Sequence, residues 1–462
     1  MGLPTPVGRQ SHVAYLPPTG HQVVLGTAGT GKTVMAIYRA LHLSNPAVNG
    51  SGRTLVVTYN NALVAYLNHL SEKSSSQLDI WTYSKFARGY LASLGLMGNW
   101  NDIVKPQRRR NLISAAVRDI STQYKPHKFF SRDVGWFQDE ISWIAGMGIQ
   151  SKDDYLAVER LGRKTPLAPS LREVVWKIRD RYRSLRGEAG HKFDWDDIST
   201  AVRENLAVDG RPRMYRHIII DEGQDLSPEQ IRSLAEAVGP EGSVTFFGDY
   251  AQQIYGQGMS WRTCGLNVRQ VEQFRDNYRN STAIAEVAIA LSSMPFFGST
   301  DDLVPPVAPR AVGPKPTLAE CESRDHEVAV IQAAAKRLGE VGTVAIVART
   351  WADVDRACSG LGATKLNGDV AFWEASPGIY CTTYHSAKGL EFDAVLMPFC
   401  SPNTIPLPDV VTSLGDVDAA ERESKLLYVA ITRAKSDLLI TYTGTPTHLL
   451  PDDPSLFVKV EP

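Results

Sequence analysis

Short apolar runs alternate with amphipathic segments along most of the chain. In the first half the strand candidates are HQVVLG, TLVVTY, LDIWTY, HIIIDE and SVTFFGD, and after about residue 276 they are TVAIVAR, GIYCTTY, DAVLMPF and DLLITYT. Strands that are separated by helical crossovers pair in parallel. The pattern therefore predicts an α/β protein with two sets of parallel strands. The Pro- and Gly-rich stretch from Pro305 to Pro316 predicts a loop within or near the entry of the second set.

The alternation stops between residues 101 and 200, where the periodicity is helical and strand signals are few. This stretch holds 19 Lys+Arg against 14 Asp+Glu, a balance of +5, with basic runs at 105–110, 160–164 and 176–186. It predicts a helical insertion with a basic face. That face could contact phosphates or could be an ordinary solvated helix surface. The predicted domains are 1–98 with 199–275, the insertion 99–198, and 276–462.

Length, composition and charge argue against several classes of protein. A length of 462 residues allows about three domains of roughly 150 residues. No apolar run approaches the ~18 residues of a membrane span, and the N-terminus lacks a signal-peptide layout, which predicts a cytoplasmic protein without membrane contact. Five dispersed cysteines without a CxxC pair argue against a zinc ribbon, an iron–sulfur cluster or a disulfide scaffold. A net charge of −1 excludes a uniformly basic surface but not a local groove.

A phosphate-binding loop is indicated by GTAGTGKT at 26–33, between an apolar strand and the amphipathic segment Val34 to Leu43. Glycines in such a loop let backbone N–H groups turn toward phosphates, and the following helix adds its positive N-terminal end. Lys32 would reach the β- and γ-phosphates, and the Thr33 hydroxyl would bind Mg²⁺. The other predicted loop residues are Gly26, Thr27, Ala28, Gly29, Thr30 and Gly31.

Two adjacent carboxylates end a later apolar run, IIIDEGQD, at Asp221 and Glu222. A carboxylate for the metal and another for the attacking water are what hydrolysis of a nucleoside triphosphate requires. The next strand ends in GDYAQQIY, where a polar residue can sense the γ-phosphate. The two pieces together predict a nucleotide-hydrolysing enzyme.

Three further strings, DNYRNS, TTYHSAKGLEFDAV and ESKLLYVAITRAK, follow in order. With the earlier motifs, they make the chain resemble the UvrD/Rep/PcrA group of superfamily 1 helicases over most of its length outside the helical stretch. The resemblance implies two RecA-like parallel-sheet P-loop domains with ATP between them. It also implies an all-helical insertion in the first domain and single-stranded DNA, or a partly single-stranded duplex, lying across both domains.

The resemblance assigns catalytic roles residue by residue. It makes Asp221 a Mg²⁺ carboxylate, Glu222 the general base, and Gln252 the link between γ-phosphate and motion. Arg279 and Arg433 would be arginine fingers supplied by the second domain, so that hydrolysis depends on closure. Outside a matched string, Arg433 would be read as a surface or ion-pair residue, and Arg279 as part of an interdomain packing element.

The nucleoside contacts are also implied by the resemblance. Tyr278 would stack on adenine, Glu391 would lie near the ribose, and Gln10 would read the adenine from upstream of the phosphate loop. The spacing between Gln10 and Gly26 differs from the family pattern by one residue.

Contacts with the DNA strand are implied for Thr58, Tyr59, Asn61, Thr82, Tyr255 and His385. The chain departs from the family pattern at two positions, because Gln257 replaces a usual aromatic residue and Ser84 a usual histidine. Trp261 is a candidate substitute for stacking on bases, although a buried aromatic is the alternative for it and for Tyr59.

The second half is short. Relatives carry a large accessory insertion before the TxHxxKGLEF string, whereas only the residues between Arg349 and Thr382 are available here. The chain also offers no room for a nuclease, so any cleavage requires a nuclease or other effector protein in trans. Compact proteins of this plan resemble helicase-like subunits of bacterial anti-phage systems, Gabija among them.

Two functional hypotheses remain open. One is a motor, an ATP-driven translocase on single-stranded DNA, for which the family implies 3′→5′ movement and unwinding. The other is a switch, an ATPase that nucleic acid triggers and that regulates a partner. A small-molecule P-loop kinase would explain neither DEGQD nor the paired arginines.

Overall fold

The computed structural model describes residues 5–6, 9–26, 29–58, 64, 76–160, 167–249, 261–274, 280–297, 312–366 and 376–462. The statements below concern these residues. Among them, no helix is both long and apolar enough to cross a membrane.

The first sheet is parallel throughout and has the strand order β3-β2-β4-β5-β1-β6. Its strands are β1 (Gly20–Gly26), β2 (Thr54–Thr58), β3 (Leu78–Thr82), β4 (Tyr215–Ile220), β5 (Val238–Gly248) and β6 (Val268–Phe274). The associated helices are α1 (Arg9–Ala14), α2 (Lys32–Leu43), α3 (Tyr83–Ser93), α8 (Ile198–Val208) and α9 (Pro228–Glu236). Central strands such as β2 are buried along their whole length because helices cover both faces of a parallel sheet.

Between α3 and α8 the regular elements of the described residues are helices joined by loops, and one isolated β-bridge connects Ile103 and Phe193. The helices are α4 (Pro106–Ser121), α5 (Val134–Met147), α6 (Lys152–Ala157) and α7 (Pro169–Glu188), with 3₁₀ turns at Trp100–Asp102 and Lys128–Ser131. They bury their own apolar cluster, which includes Phe137, Ile144 and Tyr182. This is the stretch in which we predict a helical insertion, and the exact domain boundaries stay a prediction.

The second sheet is also parallel and has the order β13-β7-β12-β11-β8-β10-β9. Its strands are β7 (Thr317–Cys321), β8 (Thr343–Ala348), β9 (Thr364–Lys365), β10 (Gly378–Thr383), β11 (Phe392–Met397), β12 (Ala434–Thr443) and β13 (Val458–Val460). Its helices are α10 (Thr282–Ser292), α11 (Arg324–Gly339), α12 (Trp351–Ala357), α13 (Pro408–Leu414) and α14 (Asp416–Ile431). A 3₁₀ turn at Pro454–Leu456 follows β12. Another 3₁₀ turn, at Gly223–Asp225, belongs to the first domain and follows β4.

Two parallel sheets flanked by helices confirm the predicted fold class of two RecA-like domains. The apolar runs identified in the sequence form β1 to β5, β8 and β10 to β12. The short or polar strands β6, β7, β9 and β13 were not predicted. Three of these four lie at sheet edges, where one side of the strand faces no neighbour and an apolar run is not required.

The second domain also contacts the helical region. The Ser413 hydroxyl of α13 donates to Asp133 Oδ1 at 3.3 Å, and Arg422 Nη1 of α14 lies 3.7 Å from Asp139 Oδ2 of α5. The second domain is therefore in contact with the helical region.

Candidate functional site at the junction of the two sheets

The candidate site lies at the carboxyl edge of the first sheet. Strand β5 pairs with β1 on one side and with β4 on the other. Because parallel strands all end at the same edge, Gly26, Asp221 and Asp249 come together there. Ligands of open α/β sheets bind in a crevice at this edge.

The phosphate-binding loop ends at the start of α2, whose first residue is Lys32. Gly29 and Gly31 have φ angles of 79° and 82°, in the left-handed region that favours glycine. Gln10 packs against this loop, because its Nε2 donates to the Thr30 carbonyl at 3.0 Å and would lie 2.7 Å from a Cβ at position 31. Thr27 and Ala28 lie outside the described residues.

The Lys32 side chain points back into the loop and is buried. Its Nζ donates to the Gly26 carbonyl at 2.8 Å and lies 3.8 Å from Asp249 Oδ2. A cation therefore stands at the centre of the loop, where phosphate groups would need charge neutralisation.

Asp221 directly follows β4 and is buried, and neither of its carboxylate oxygens accepts a hydrogen bond from a described residue. Burial, followed by the neighbouring charge of Glu222, raises the pKa of Asp221 to about 7, while Thr33 and Lys32 oppose the shift. Thr33 is the second residue of α2. A buried carboxylate without a hydrogen-bond donor and a nearby hydroxyl are oxygen ligands suited to Mg²⁺, so these residues fit the predicted ion.

Glu222 is held in an unusual backbone conformation. Its φ of 52° lies in the left-handed region, which is uncommon for a residue other than glycine and is often found at functional sites. The Gln224 side-chain amide donates to Glu222 Oε2 at 2.5 Å and its carbonyl accepts from the Asp249 backbone N–H at 2.9 Å. Gln224 thereby fixes the Glu222 carboxylate between β4 and β5.

The charge state of Glu222 depends on both domains. Burial alone would raise the pKa of Glu222, but Lys388, Lys32 and Arg433 together lower it below its usual value. Lys388 and Arg433 belong to the second domain. A carboxylate that stays ionised at neutral pH can accept a proton from water.

An ion pair between Lys388 and Asp225 links the two domains. Both side chains are almost completely buried. Burial raises the pKa of Asp225 to about 6, and Lys388 opposes that shift. Removal of either side chain by substitution would leave an uncompensated buried charge, so the two residues depend on each other in this arrangement of the domains.

Arg433 follows α14 and is also buried. Its Nε donates to the Val429 carbonyl at 3.0 Å and its Nη1 to the Leu390 carbonyl at 3.4 Å. These bonds hold the guanidinium near the junction, where its charge lowers the pKa of Glu222. The structure thus brings one predicted finger, Arg433, to the predicted base.

Helix α14 is itself anchored within the second domain. Arg349, directly after β8, forms a bidentate buried ion pair with Glu423, with both N···O distances at 2.7 Å. Paired N–H···O bonds fix orientation as well as distance. The α14 end that carries Arg433 is therefore rigidly connected to the second sheet.

Four further residues are predicted for the nucleotide and for catalysis: Glu391, Gln252, Tyr278 and Arg279. Glu391 lies half-buried just before β11. Gln252, Tyr278 and Arg279 lie outside the described residues, so their roles stay predictions.

The predicted DNA-contacting residues are distributed over both domains. Thr58 ends β2, is buried, and its hydroxyl has no hydrogen-bond partner among the described residues. Thr82 caps α3 by accepting from the Lys85 backbone N–H at 3.3 Å, which gives its hydroxyl a structural task. His385 lies close to Lys388, and burial followed by Arg349, Arg422 and Lys388 lowers its pKa to about 3, so its ring is neutral at pH 7.

The remaining residues considered for contact with DNA are mostly outside the described part of the chain. Tyr59, Asn61, Tyr255 and Gln257 lie outside the described residues. Trp261 is half-buried with its ring centroid 4.8 Å from that of Phe246, in the core of the first domain. This packing favours the structural alternative for Trp261 over base stacking.

The basic runs of the helical region are largely engaged in ion pairs. Arg160 pairs with Glu140 and Arg186 with Asp197, and both arginines are buried. Arg109 Nε lies 2.6 Å from Asp194 Oδ2. Much of the positive balance that we read as a basic face therefore holds the helices together.

Four residues of this site were given no role from the sequence: Gln224, Asp225, Asp249 and Lys388. All lie within the strings quoted for the motifs, but their types have many ordinary uses on a surface. The signal that could have identified them is position, because each directly follows or lies one turn beyond a strand that ends at the cleft.

Comparison with known proteins supports the same reading. Residues 8–277 match the model described as UvrD/REP helicase N-terminal domain, and residues 361–445 match the UvrD-like helicase C-terminal domain. ATP-dependent DNA helicase UvrD2 of Mycobacterium tuberculosis is 24% identical, over 94% of this chain and 78% of that protein.

Two further relatives match a smaller part. The putative ATP-dependent DNA helicase YjcD of Bacillus subtilis is 24% identical over 62% of this chain and 36% of its own length, and DNA helicase II of Haemophilus influenzae is 25% identical over 57% and 36%. The N-terminal model alone covers more than half of the chain. The protein therefore belongs to the UvrD/REP helicase family.

Proposed function

We propose that the protein is an ATP-dependent DNA helicase or translocase that hydrolyses ATP between its two RecA-like domains and moves on single-stranded DNA. The observation that carries the proposal is the buried junction where Glu222 of the first domain faces Lys388 and Arg433 of the second. The names of the relatives, all DNA helicases, support the same activity.

At the phosphates, Lys32 neutralises charge on the β- and γ-groups, assisted by the start of α2. Thr33 and Asp221 would hold Mg²⁺, which when bound supplies further neutralisation of phosphate charge. Glu222 orients the attacking water and accepts its proton. Its conformation and the Gln224 amide fix the direction of the carboxylate.

Coupling to movement comes from the second domain. Arg433 would stabilise the charge that develops on the γ-phosphate, and Arg279 would act with it while Gln252 senses the phosphate. Hydrolysis then requires closure, because these cations reach the phosphates only when the domains meet. Tyr278, Glu391 and Gln10 would bind the nucleoside. The proximity of Gln10 to the loop supports its part.

The DNA strand would cross both domains near Thr58, Tyr59, Asn61, Thr82, Tyr255 and His385. Movement in the 3′→5′ direction is part of the proposal. A nuclease or other effector in trans, a role in repair or anti-phage defence, and a cytoplasmic location stay predictions.

A direct test measures ATP turnover without polymer and with single-stranded DNA, single-stranded RNA or duplex DNA. We expect the largest stimulation by single-stranded DNA and none in Lys32→Ala, since the loop cation is lost. Turnover of Lys32→Ala at the wild-type rate would contradict the assignment.

A second measurement separates the motor from the switch. Streptavidin is bound to biotin at either end of a single strand, and its ATP-dependent displacement is followed. Displacement from only one end supports a translocase. Stimulated turnover without displacement from either end would favour the regulatory switch.

A further inference from the structure

Aromatic and basic side chains lie close together on α3 and on three segments beside it, which are the end of β3, the 3₁₀ turn at Trp100–Asp102 and the residues before α8. We call the five residues Trp81, Lys85, Arg88, Trp100 and Trp195 the aromatic-basic strip. Lys85 Nζ lies 4.8 Å from the Trp81 ring centroid, and Arg88 Cζ lies 3.3 Å from the Trp100 ring centroid. The rings of Trp100 and Trp195 have centroids 6.4 Å apart. Lys85 and Arg88 are neighbours on α3, because residues three apart share a helix face.

Trp100 is more exposed than its chemistry favours. Its side chain is 63% exposed, whereas Trp81 and Trp195 are partly packed on the core of the first domain. Burying an aromatic ring of this size is strongly favourable. The fold thus gains little from Trp100 at this position, which suggests that a ligand covers the ring.

The positive charges of the strip are not balanced by carboxylates. Within the described ranges, neither Lys85 nor Arg88 forms an ion pair, although the Arg88 guanidinium stacks on Trp100 and its Nε atom is buried. The neighbouring carboxylate, Asp102, is already engaged: it accepts from the Gly98 backbone N–H at 2.6 Å and lies 3.7 Å from Lys192 Nζ. Two cations are therefore available for an anion beside an exposed ring.

The strip continues a surface for which DNA contact is already predicted. Trp81 directly precedes Thr82, and β3 is an edge strand of the first sheet. Aromatic rings that alternate with cations suit single-stranded nucleic acid, whose bases stack on the rings while its phosphates lie near the cations. A folded protein partner would more often meet an apolar centre with a polar rim.

We propose that the aromatic-basic strip is an additional binding site for single-stranded DNA, in which a base stacks on Trp100 and the backbone phosphates lie beside Lys85 and Arg88. The site lies outside the cleft that binds the nucleotide. The inference depends on the proposed function only for the identity of the ligand.

The test is the affinity of the full-length protein for a fluorescent oligothymidylate, followed by anisotropy without nucleotide. We expect Trp100→Ala to weaken binding roughly 5-fold to 100-fold, because stacking of one base is lost. Trp100→Phe, which keeps an aromatic ring, should retain most of the affinity. Tyr15→Ala removes another exposed aromatic residue outside the strip and should bind like the wild type.

Salt dependence gives an independent readout. Lys85→Gln should reduce the slope of log affinity against log salt by about 1, as expected for one lost phosphate contact. ATP turnover without DNA should be unchanged in all these variants, which shows that the fold is intact.

Unchanged DNA affinity in Trp100→Ala would overturn the inference and leave the strip as a surface for a protein partner, while the proposed function would stand. If the wild type itself fails to bind single-stranded DNA, the proposed function fails and the strip loses its ligand.

Discussion

At the scale of single residues, the site depends on a carboxylate that is buried and still ionised. Burial by itself opposes the charged form of Glu222, and the lysines and the arginine around it outweigh burial. Asp221, one residue earlier, has a raised pKa because burial and the charge of Glu222 outweigh the opposing effects of Thr33 and Lys32. The two adjacent carboxylates therefore differ in charge tendency: Glu222 favours the ionised form on its own, whereas a bound cation would favour the ionised form of Asp221.

The role of Glu222 can be tested with Glu222→Gln, which keeps the size of the side chain but cannot accept a proton. We expect DNA-stimulated turnover to fall about 10²-fold to 10⁴-fold while nucleotide binding is retained. Glu241→Gln changes an exposed glutamate and serves as the control. Equal turnover in both variants would remove Glu222 from the catalytic role.

At the scale of elements, a buried histidine on β4 links this strand to β5 and to the loop before β2. The ring nitrogens of His217 lie 2.9 Å from the Ser243 hydroxyl of β5 and 2.9 Å from the Gly50 carbonyl. The neutral ring can satisfy both, by accepting from Ser243 and donating to Gly50. Burial is the main cause that lowers the pKa of His217 to about 4.

This shift predicts acid sensitivity. Because the folded pKa is below the unfolded value, the contribution of His217 is fully present above about pH 6.5 and is lost as pH falls toward 4. From pH 7.5 to 5 we expect the free energy of unfolding to drop by about 1 to 2 kcal/mol through this residue. Urea unfolding at pH 7.5 and at pH 5 measures this difference in the free energy of unfolding. His217→Gln should show a smaller drop, whereas His12→Gln, at an exposed position, should behave like the wild type.

The strands differ in how clearly the sequence predicts them. The apolar runs of the central strands predict the two sheets because strands covered on both faces must be apolar. Edge strand β6, with polar residues between its valines, carries no such signal. The loop lysine and the carboxylate pair were predictable from motif spacing. The role of Lys388 was not predictable from the sequence. It depends on a contact with Asp225, 163 residues earlier in the chain, and that contact forms only when the chain folds.

At the scale of the whole molecule, buried charges join the two domains. Among the residues that the structure describes, no apolar cluster spans both sheets. The Lys388–Asp225 pair crosses the cleft between them. Such an interface is selective for one arrangement, because a shifted arrangement would leave a buried charge without its partner.

We therefore expect Lys388→Met and Asp225→Asn each to lower DNA-stimulated turnover at least about 10-fold, since each leaves one buried partner uncompensated. The double variant should lose less than the two single losses combined, because it removes both charges. Lys425→Met is the matched control: this buried lysine pairs with Glu421 on its own helix at 2.7 Å. Strict additivity in the double variant would argue against coupling across the cleft.

We propose that hydrolysis needs a cation from the second domain at a site built by the first. The most direct measurement compares Arg433→Ala with the wild type in DNA-stimulated turnover and in nucleotide affinity. We predict a loss of about 10³-fold or more in kcat, as for other arginine fingers, with nucleotide affinity within a few-fold. Retained nucleotide binding also shows that the variant is folded. Turnover at the wild-type rate would contradict the account.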